Sequence, residues 1–367
     1  MMKIDDLIEL EITDVAFGGD GVARHNGQVV FVPFAAIGDR LRARVVKNSG
    51  RFVRAAITEL LQAGAGRCQP RCQYFGVCGG CQYQQLDYPT QLAVKTGQLR
   101  EVLARIGGLT LTATRPWLAS PRGYGYRNRI SVHQQGRVIG FRAGDGRLLD
   151  IQECPLASDE VNAKLRYLRA HPGRREHYSL REAALPATGF YQANKFLLAE
   201  FRAVVAAGCL DLQPDWIIEC YGGAGFFTAP LAVTGTRVSM IEADARLVAE
   251  ARRSLPASVE LRAGDCETVL PQLAADGDLT RAVLLLDPPR EGLSAAMRDW
   301  LAACPARALV YVSCNPATLA RDLKTLAPRW VPQYFLPIDL FPQTAHFECV
   351  AGALRTQNSN LKSQNHN

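Results

Sequence analysis

Short apolar runs alternate with helical segments from about Leu180 to Arg355, and this alternation limits the possible folds more than any other feature of the chain. The runs WIIEC, RVSMIE, VELRA, VLLL and LVYV each end in a glycine loop or a polar turn. Such alternation is typical of a parallel sheet covered by helices, whose ligands bind beyond the carboxyl ends of the strands. We therefore predict an α/β domain with its functional loops along one edge of the sheet.

The N-terminal part of the chain has a different pattern. Residues 1–62 contain short alternating strands separated by glycine turns at roughly 8 to 12 residue spacing, which is typical of a small β-barrel. In DRLRARVVK, the side chains of Arg40, Arg42 and Arg44 share one strand face, which is either a solvated face or an RNA-facing stripe. A second set of strand patterns between Trp117 and Pro155 predicts a small β layer.

These patterns divide the chain into four parts. We assign residues 1–62 to the barrel, 63–160 to a cysteine-bearing β domain, 161–357 to a linker helix and the parallel-sheet domain, and 358–367 to a disordered polar tail. The start of the chain lacks the basic and apolar blocks of a signal peptide, and no run of about 18 apolar residues is present. We expect a cytoplasmic protein with no membrane partner.

The eleven cysteines and the net charge of +7 limit the possible roles of the cysteines and the possible binding partners. An odd number of cysteines in a reducing compartment indicates metal ligands, catalytic thiols or buried thiols rather than disulfides. The positive charge comes mostly from arginine, which suits contacts to phosphates and bases.

The cysteines are densest in RCQPRCQYFGVCGGCQ, where Cys72, Cys78 and Cys81 form C-x5-C-x2-C. Three thiolates this close repel one another and oxidise readily unless a metal holds them. An irregular trio completed by one distant cysteine favours a 4Fe-4S cluster over zinc, which prefers two C-x2-C pairs. Cys154 is the expected fourth ligand, and Cys68 is the alternative.

The strand WIIEC leads into the loop YGGAGFF, which is typical of a nucleotide-cofactor site. The loop lacks the full G-x-G-x-x-G of a dehydrogenase, so a methyl-donor cofactor is favoured over a nicotinamide. Glu242, at the end of the next strand, is predicted to hold ribose hydroxyls, and Asp265 is predicted to reach an adenine amino group. A tight turn without a ligand is the structural alternative.

Three further groups follow strands at the same predicted edge. Asp287 follows three leucines in LLLDPPREG, where the prolines fix the chain outside regular structure. Cys314 interrupts the apolar run in VYVSCNP, and alone it is better explained as a buried filler than as a nucleophile. Glu348, in FPQTAHFECV, starts a predicted edge strand and is either exposed or functional.

These motifs occur together, and in the same order, in a known family. The C-x5-C-x2-C motif, G-F-Y-Q at 189–192, D-P-P-R-x-G, S-C-N-P-x-T-x-x-R-D and F-P-Q-T-x-H-x-E resemble those of the RNA uracil-5-methyltransferases, over nearly the whole chain. The N-terminal barrel resembles the TRAM RNA-binding domain, an OB-like barrel. The resemblance implies a Rossmann-like S-adenosylmethionine-dependent methyltransferase domain beside a small iron-sulfur β domain.

The resemblance also implies roles for individual residues. Cys314 would be the thiolate that adds to carbon 6 of uracil, Glu348 the base that removes the carbon 5 proton, and Asp287 the group that orients the uracil or the donor. The predicted donor-binding residues are Gln192, Tyr221, Gly223, Gly225, Phe226, Glu242, Asp265 and Asp287. We expect a monomer that acts on rRNA, with 23S rRNA first, or on uridine 54 of tRNA, and no DNA partner.

The donor loop departs from the family pattern. Glu219 replaces an aspartate, and the loop cysteine has moved back to Cys220, so we expect a retained donor site with altered contacts. Two other hypotheses remain open at this stage. One is an RNA-binding module that has lost its activity, and the other is an RNA cytosine-5-methyltransferase.

Overall fold

A computed structural model describes residues 2–110, 114–185, 192–327 and 329–356. Its N-terminal part is a six-stranded sheet with the strand order β1-β5-β6-β4-β3-β2. Asn26 and Gly27 join β3 to β4 in a two-residue turn, and both have positive φ, as this type of tight hairpin turn requires. The strands are β1 (Leu7–Glu11), β2 (Asp14–Val15), β3 (Gly21–His25), β4 (Gln28–Val32), β5 (Arg40–Asn48) and β6 (Phe52–Gln62).

The arginine face of β5 is largely neutralised by acids on its neighbours. Arg42 lies between Glu9 and Glu59, at 3.0 and 2.7 Å, and Arg44 lies 4.0 Å from Asp5. These pairs form because β1 and β6 flank β5 in the sheet. The stripe is therefore a paired, solvated face, which favours the first of the two readings of this segment.

The middle of the chain contains one long helix and a small sheet. Helix α1 (Tyr88–Arg105) begins at Asp87, whose carboxylate accepts a 2.8 Å hydrogen bond from the Thr90 amide. The sheet has the strand order β10-β7-β8-β9 and packs against α2. The other elements of this part are β7 (Arg129–Gln135), β8 (Val138–Arg142), β9 (Leu148–Asp150), α2 (Asp159–Ala170) and β10 (His177–Arg181).

The predicted α/β domain is confirmed as a seven-stranded sheet with the order β13-β12-β11-β14-β15-β17-β16. The first five strands of this order are parallel, whereas β17 pairs antiparallel with β15 and β16. The elements are α3 (Leu198–Leu210), β11 (Trp216–Cys220), α4 (Thr228–Leu231), β12 (Arg237–Glu242), α5 (Ala245–Ser254), β13 (Glu260–Ala263), α6 (Cys266–Asp276), β14 (Ala282–Leu286), α7 (Ala295–Ala303), β15 (Ala308–Ser313), α8 (Pro316–Leu326), β16 (Trp330–Ile338) and β17 (Glu348–Arg355).

Two apolar cores cover the two faces of this sheet. Alternate residues of β14 belong to different cores, Leu284 to one and Val283 to the other, as the two-residue period of a strand requires. Both faces are therefore buried, and the polar side chains of the domain collect at the strand ends. No helix in the described ranges is long and apolar enough to cross a membrane.

One expectation about this sheet is wrong. The sequence predicted that Glu348 would start an edge strand, but β17 lies between β15 and β16. Glu348 is consequently buried, at 4% exposure. Exposure to solvent therefore does not explain this acid.

Candidate functional site

Cys314 and Glu348 lie at the same end of two neighbouring strands. Ser313 of β15 is paired with Cys349 of β17, so Cys314 and Glu348 take the next opposed positions. The chain turns sharply after Cys314, because Asn315 caps α8 by accepting a 3.1 Å hydrogen bond from the Ala317 amide. The thiol is thus held between a buried strand and a capped helix, and part of it stays accessible.

Burial and nearby charges raise the pKa of both groups. Burial, with the nearby Glu348 and Asp287, raises the pKa of the Cys314 thiol to about 11, while Arg290 acts in the opposite direction. Burial and the charge of Asp287 raise the pKa of Glu348 to about 8. Asp287 keeps some accessible surface, yet burial of its carboxylate raises its pKa to about 7. The site thus gathers three groups with raised pKa values, which is typical of functional sites.

The turn that carries Asp287 is bonded to the turn that carries Cys314. The main-chain oxygen of Arg290 accepts hydrogen bonds from Asn315 Nδ2 at 3.2 Å and from Thr318 Oγ1 at 3.3 Å. Asp287 itself follows β14, the parallel neighbour of β15. The D-P-P-R and S-C-N-P motifs are therefore one structural unit.

Asp322 anchors this unit; it is the last residue of the S-C-N-P-x-T-x-x-R-D motif, but the sequence analysis gave it no role. Its carboxylate is fully buried and accepts hydrogen bonds from the Leu293 amide at 2.9 Å and the Tyr311 hydroxyl at 2.8 Å. Arg298 and Arg321 contact its other oxygen. A signal was present in the sequence, because this acid falls on the apolar face of α8 among Leu319, Leu323 and Leu326.

The glycine loop lies at the end of β11, beside the turn of Asp287. Tyr221, Gly223 and Gly225 have φ values of 63°, 58° and 88°, so the loop follows a path that suits glycine. A Cβ on Gly222 would lie 2.3 Å from Met240 Cγ, so this position requires glycine as well. Such a loop brings main-chain amides close to a ligand at the sheet edge.

Glu242 is held at the end of β12, next to this loop. Its two oxygens accept hydrogen bonds from the amides of Gly223 at 2.9 Å and Asp244 at 2.7 Å. A carboxylate oxygen can accept more than one hydrogen bond, so both oxygens can also accept from a sugar diol. Asp265 stands at the N-cap of α6, but its side chain makes no capping hydrogen bond. Both acids therefore suit an adenosine.

Two other residues of this segment are engaged within the protein. Glu219 is buried beneath the loop, where burial raises the pKa of its carboxyl to about 8 and Thr228 Oγ1 donates a hydrogen bond to it. Phe226 packs against the rings of Phe201 and Phe227 and under Arg202. Their contacts make Glu219 and Phe226 supports of the loop.

Four cysteines line one cavity of about 400 Å³ in the middle part of the chain. They are Cys72, Cys78, Cys81 and Cys154. Cys68 is exposed, and its thiol contacts the main-chain oxygen of Gln84 instead of the cavity. In the described ranges, no group of three or more His, Cys, Asp or Glu side chains is arranged to hold a metal ion. The cluster therefore stays a prediction.

Gln192 lies on the wall of the same cavity, together with Phe341. Its main-chain oxygen accepts a 2.9 Å hydrogen bond from Asn128 Nδ2, and its buried Oε1 has no hydrogen-bond partner within the described residues. The preceding Gly189, Phe190 and Tyr191 of the G-F-Y-Q motif lie outside the described residues. Gln192 thus presents a free acceptor between the cysteine cavity and the segment that leads to Glu348.

Two family models match the chain. The model for tRNA (uracil-5-)-methyltransferase matches residues 276–356, which include the turn of Asp287, Cys314 and Glu348. The model for the TRAM domain matches residues 6–60, the N-terminal sheet.

Relatives and solved structures match over most of the chain. A Synechocystis protein named as an uncharacterized RNA methyltransferase is 31% identical, with 94% of each chain covered. A Bdellovibrio bacteriovorus protein with the same description is 28% identical, also with 94% of each chain covered. The Pyrococcus abyssi tRNA (uracil-54, C5)-methyltransferase in complex with S-adenosyl-L-homocysteine aligns with a TM-score of 0.71 at 23% identity, covering 95% of this chain and all of its own.

Proposed function

This chain belongs to the RNA (uracil-5-)-methyltransferase family, and we propose that it transfers a methyl group from S-adenosylmethionine to carbon 5 of a uridine in RNA. The observation that carries the proposal is the opposition of Cys314 and Glu348 beside the turn of Asp287. Uracil carbon 5 is a weak nucleophile, so the reaction needs a thiolate and a base on one substrate ring.

The first step is a covalent addition by Cys314. Its thiolate bonds to carbon 6 of the uracil, and the electron pair of the carbon 5–carbon 6 double bond becomes available at carbon 5. Bound S-adenosylmethionine supplies the methyl group, which carbon 5 takes as the donor's sulfur–methyl bond breaks. Burial keeps Cys314 protonated in the free protein, and Arg290 is the cation that favours the thiolate.

The second step is an elimination that needs Glu348. Its carboxylate removes the proton from carbon 5, the electron pair restores the double bond, and the bond between Cys314 and carbon 6 breaks. A base with a pKa of about 8 suits this transfer near neutral pH. Asp287, beside both groups, is proposed to orient the uracil ring or the donor.

The glycine loop and two acids are proposed to hold the donor. The loop of Gly223 and Gly225 can let the donor approach the loop's main-chain amides, Glu242 can accept from the ribose hydroxyls, and Asp265 can accept from the adenine amino group. Tyr221 lies at the start of this loop and Phe226 supports its end. Gln192 lines the cysteine cavity, and only its place in the G-F-Y-Q motif supports the proposal that it also contacts the donor.

We consider two RNA substrates, and each is supported by a different argument. We propose 23S rRNA first, as the resemblance implied. Uridine 54 of tRNA is the second candidate, because the matching family model and the aligned archaeal enzyme both carry a tRNA description.

Incubation with methyl-labelled donor and purified rRNA or tRNA tests the function. We expect 5-methyluridine at one position of one RNA, mapped by nuclease digestion and mass spectrometry, and none with Cys314→Ala. An inactive RNA-binding module would bind RNA without binding the donor. A cytosine-5-methyltransferase would instead yield 5-methylcytidine.

We also propose that the four cavity cysteines hold a 4Fe-4S cluster, supporting the fold or RNA binding. The shared cavity supports this set over one that includes Cys68. The apolar walls, which include Phe75, Ile130 and Phe141, would shield such a cluster from water.

A further inference from the structure

We infer that Gln82 and Gln343 are positioning residues for Glu348. Through them, residues 72–83, which we name the cysteine segment, set the geometry of the elimination step. This inference rests on the proposed function. Gln82 follows Cys81 directly, and Gln343 belongs to the connection between β16 and β17, which we name the FPQT loop (residues 339–347). The FPQT loop ends at Glu348.

Gln343 has an uncommon backbone conformation, and several hydrogen bonds hold it in the FPQT loop. Its φ is 70°, an uncommon conformation for a residue with a side chain, so contacts must hold it there. Its amide donates to Gln91 Oε1 at 2.8 Å, and its Oε1 accepts from Gln91 Nε2 at 3.0 Å. Its main-chain oxygen accepts from the amides of Gln82 and Tyr83 at 3.1 and 3.0 Å. Helix α1 and the cysteine segment therefore both hold Gln343 in place.

Gln82 holds the FPQT loop at a second point. Its Oε1 accepts a 3.1 Å hydrogen bond from the Ala345 amide, three residues before Glu348. Its Nε2 donates to the main-chain oxygen of Gly79 at 3.2 Å, which ties the same side chain to the C-G-G-C turn. A single side chain therefore bridges the cysteine turn and the loop that carries the base.

The start of the FPQT loop is fixed by a buried ion pair. Lys95 Nζ lies 2.8 Å from Asp339 Oδ1, both side chains are fully buried, and the same ammonium donates to the main-chain oxygen of Phe341 at 3.3 Å. A buried pair with a neighbouring carbonyl is costly to break, since one partner would remain uncompensated. The start of the FPQT loop is therefore fixed without any contact from Gln82.

These contacts act on one half of the reaction only. Cys314 is positioned by β15 and by the cap of α8. Neither element contains a residue of the FPQT loop. Glu348 is positioned by its pairing in β17 and by the loop before it. Proton transfer needs hydrogen-bond distance to carbon 5, so a small displacement of the loop slows the elimination and leaves the addition intact.

The test compares the two steps in Gln82→Ala, a half-exposed position where the substitution removes only the side-chain contacts. With 5-fluorouridine RNA, we expect an adduct rate within about twofold of the unmodified protein. With ordinary RNA, we expect turnover about tenfold lower and accumulation of a methylated RNA–protein complex that survives denaturing gels.

Two further variants separate positioning from loss of structure. Gln82→Glu keeps the acceptor for the Ala345 amide but loses the Nε2 donor to the Gly79 oxygen, so it should restore part of the turnover and leave less trapped complex than Gln82→Ala. Gln134→Ala is the control. It removes a comparable hydrogen bond, from Gln134 Nε2 to the Gly173 main-chain oxygen at 2.9 Å, in the small sheet. Its adduct rate and turnover should equal those of the unmodified protein.

The inference is overturned if Gln82→Ala slows both steps by the same factor without trapped complex, or leaves turnover unchanged. If the unmodified protein forms neither the adduct nor 5-methyluridine, the proposed function itself is wrong. Failure of the inference therefore shows in the ratio of two rates, and failure of the function shows in their absence.

Discussion

Cys314 and Glu348 occupy opposed positions at the ends of two antiparallel strands, one step beyond the paired Ser313 and Cys349. The pairing explains why motifs 34 residues apart in the sequence act as one site. It also gives each residue a distinct environment, because the thiol is partly accessible whereas the carboxyl is buried. A nucleophile needs access to the substrate, and a base benefits from burial that raises its pKa.

Glu348→Gln should separate the two chemical steps. The amide keeps the shape of the side chain but cannot take the carbon 5 proton, so the methylated adduct should accumulate with ordinary uridine RNA. We expect turnover to fall by about 10²–10⁴, while the adduct appears on denaturing gels and by mass spectrometry. Normal turnover without adduct would assign the base to another residue.

The rate of adduct formation should rise with pH. The pKa of Cys314 is about 11, so the thiolate fraction grows about tenfold per pH unit below that value. With 5-fluorouridine RNA in single turnover, we expect a rise from pH 6 to pH 9 without a plateau. A plateau near pH 7 would mean that the thiol is already ionised in the free protein.

Arg290→Gln should lower that rate. The charge of Arg290 lowers the pKa of the Cys314 thiol, and its removal reduces the thiolate fraction at any pH below the pKa. Because Arg290 is exposed and screened, we expect a loss of only a few-fold at pH 7.5. Arg290→Lys keeps the charge and should retain most of the rate. Equal losses in both variants would point to the guanidinium shape instead.

Glu219→Gln should change how stability depends on pH. Burial raises the pKa of Glu219 from 4.5 to about 8, so the folded chain holds a proton that the unfolded chain releases. The free energy of unfolding therefore falls as pH rises from about 4.5 through 8, and the amide removes this contribution. In urea titrations at pH 5 and pH 8, Glu219→Gln should lose less stability than the unmodified protein. Exposed Glu176→Gln is the control, and identical pH dependence in both variants would refute the prediction.

Protein purified without oxygen should be brown and contain iron and acid-labile sulfide in equal amounts. Cys154→Ser should lose both, because this thiol lines the shared cavity, whereas Cys68→Ser should keep them. A colourless protein that contains zinc, or loss of colour in Cys68→Ser, would contradict the predicted ligand set.

Features that depend on the local residue pattern could be predicted from the sequence. The apolar runs and their polar ends indicated the strands and the edge at which Glu242, Asp287 and Cys314 emerge. Strand order is different, because it depends on pairings between distant segments. The antiparallel insertion of β17 beside β15 therefore escaped prediction, and with it the burial of Glu348.

Electrostatic partners escaped prediction for the same reason. Arg290 lies 24 residues before Cys314, and only the folded turn brings it close enough to affect the pKa of the thiol. Glu9 and Glu59 neutralise Arg42 from two other strands. Pairs of this kind form across a sheet and leave no periodic signal along one segment.

The most direct test of the central claim is the covalent complex between this protein and RNA that contains 5-fluorouridine. Fluorine replaces the carbon 5 proton, so the elimination cannot occur and the adduct persists. We predict a complex of protein with RNA on denaturing gels, formed only with the methyl donor, with the RNA fragment mapped by mass spectrometry to Cys314. A complex that survives in Cys314→Ala, or maps to another cysteine, would contradict the account.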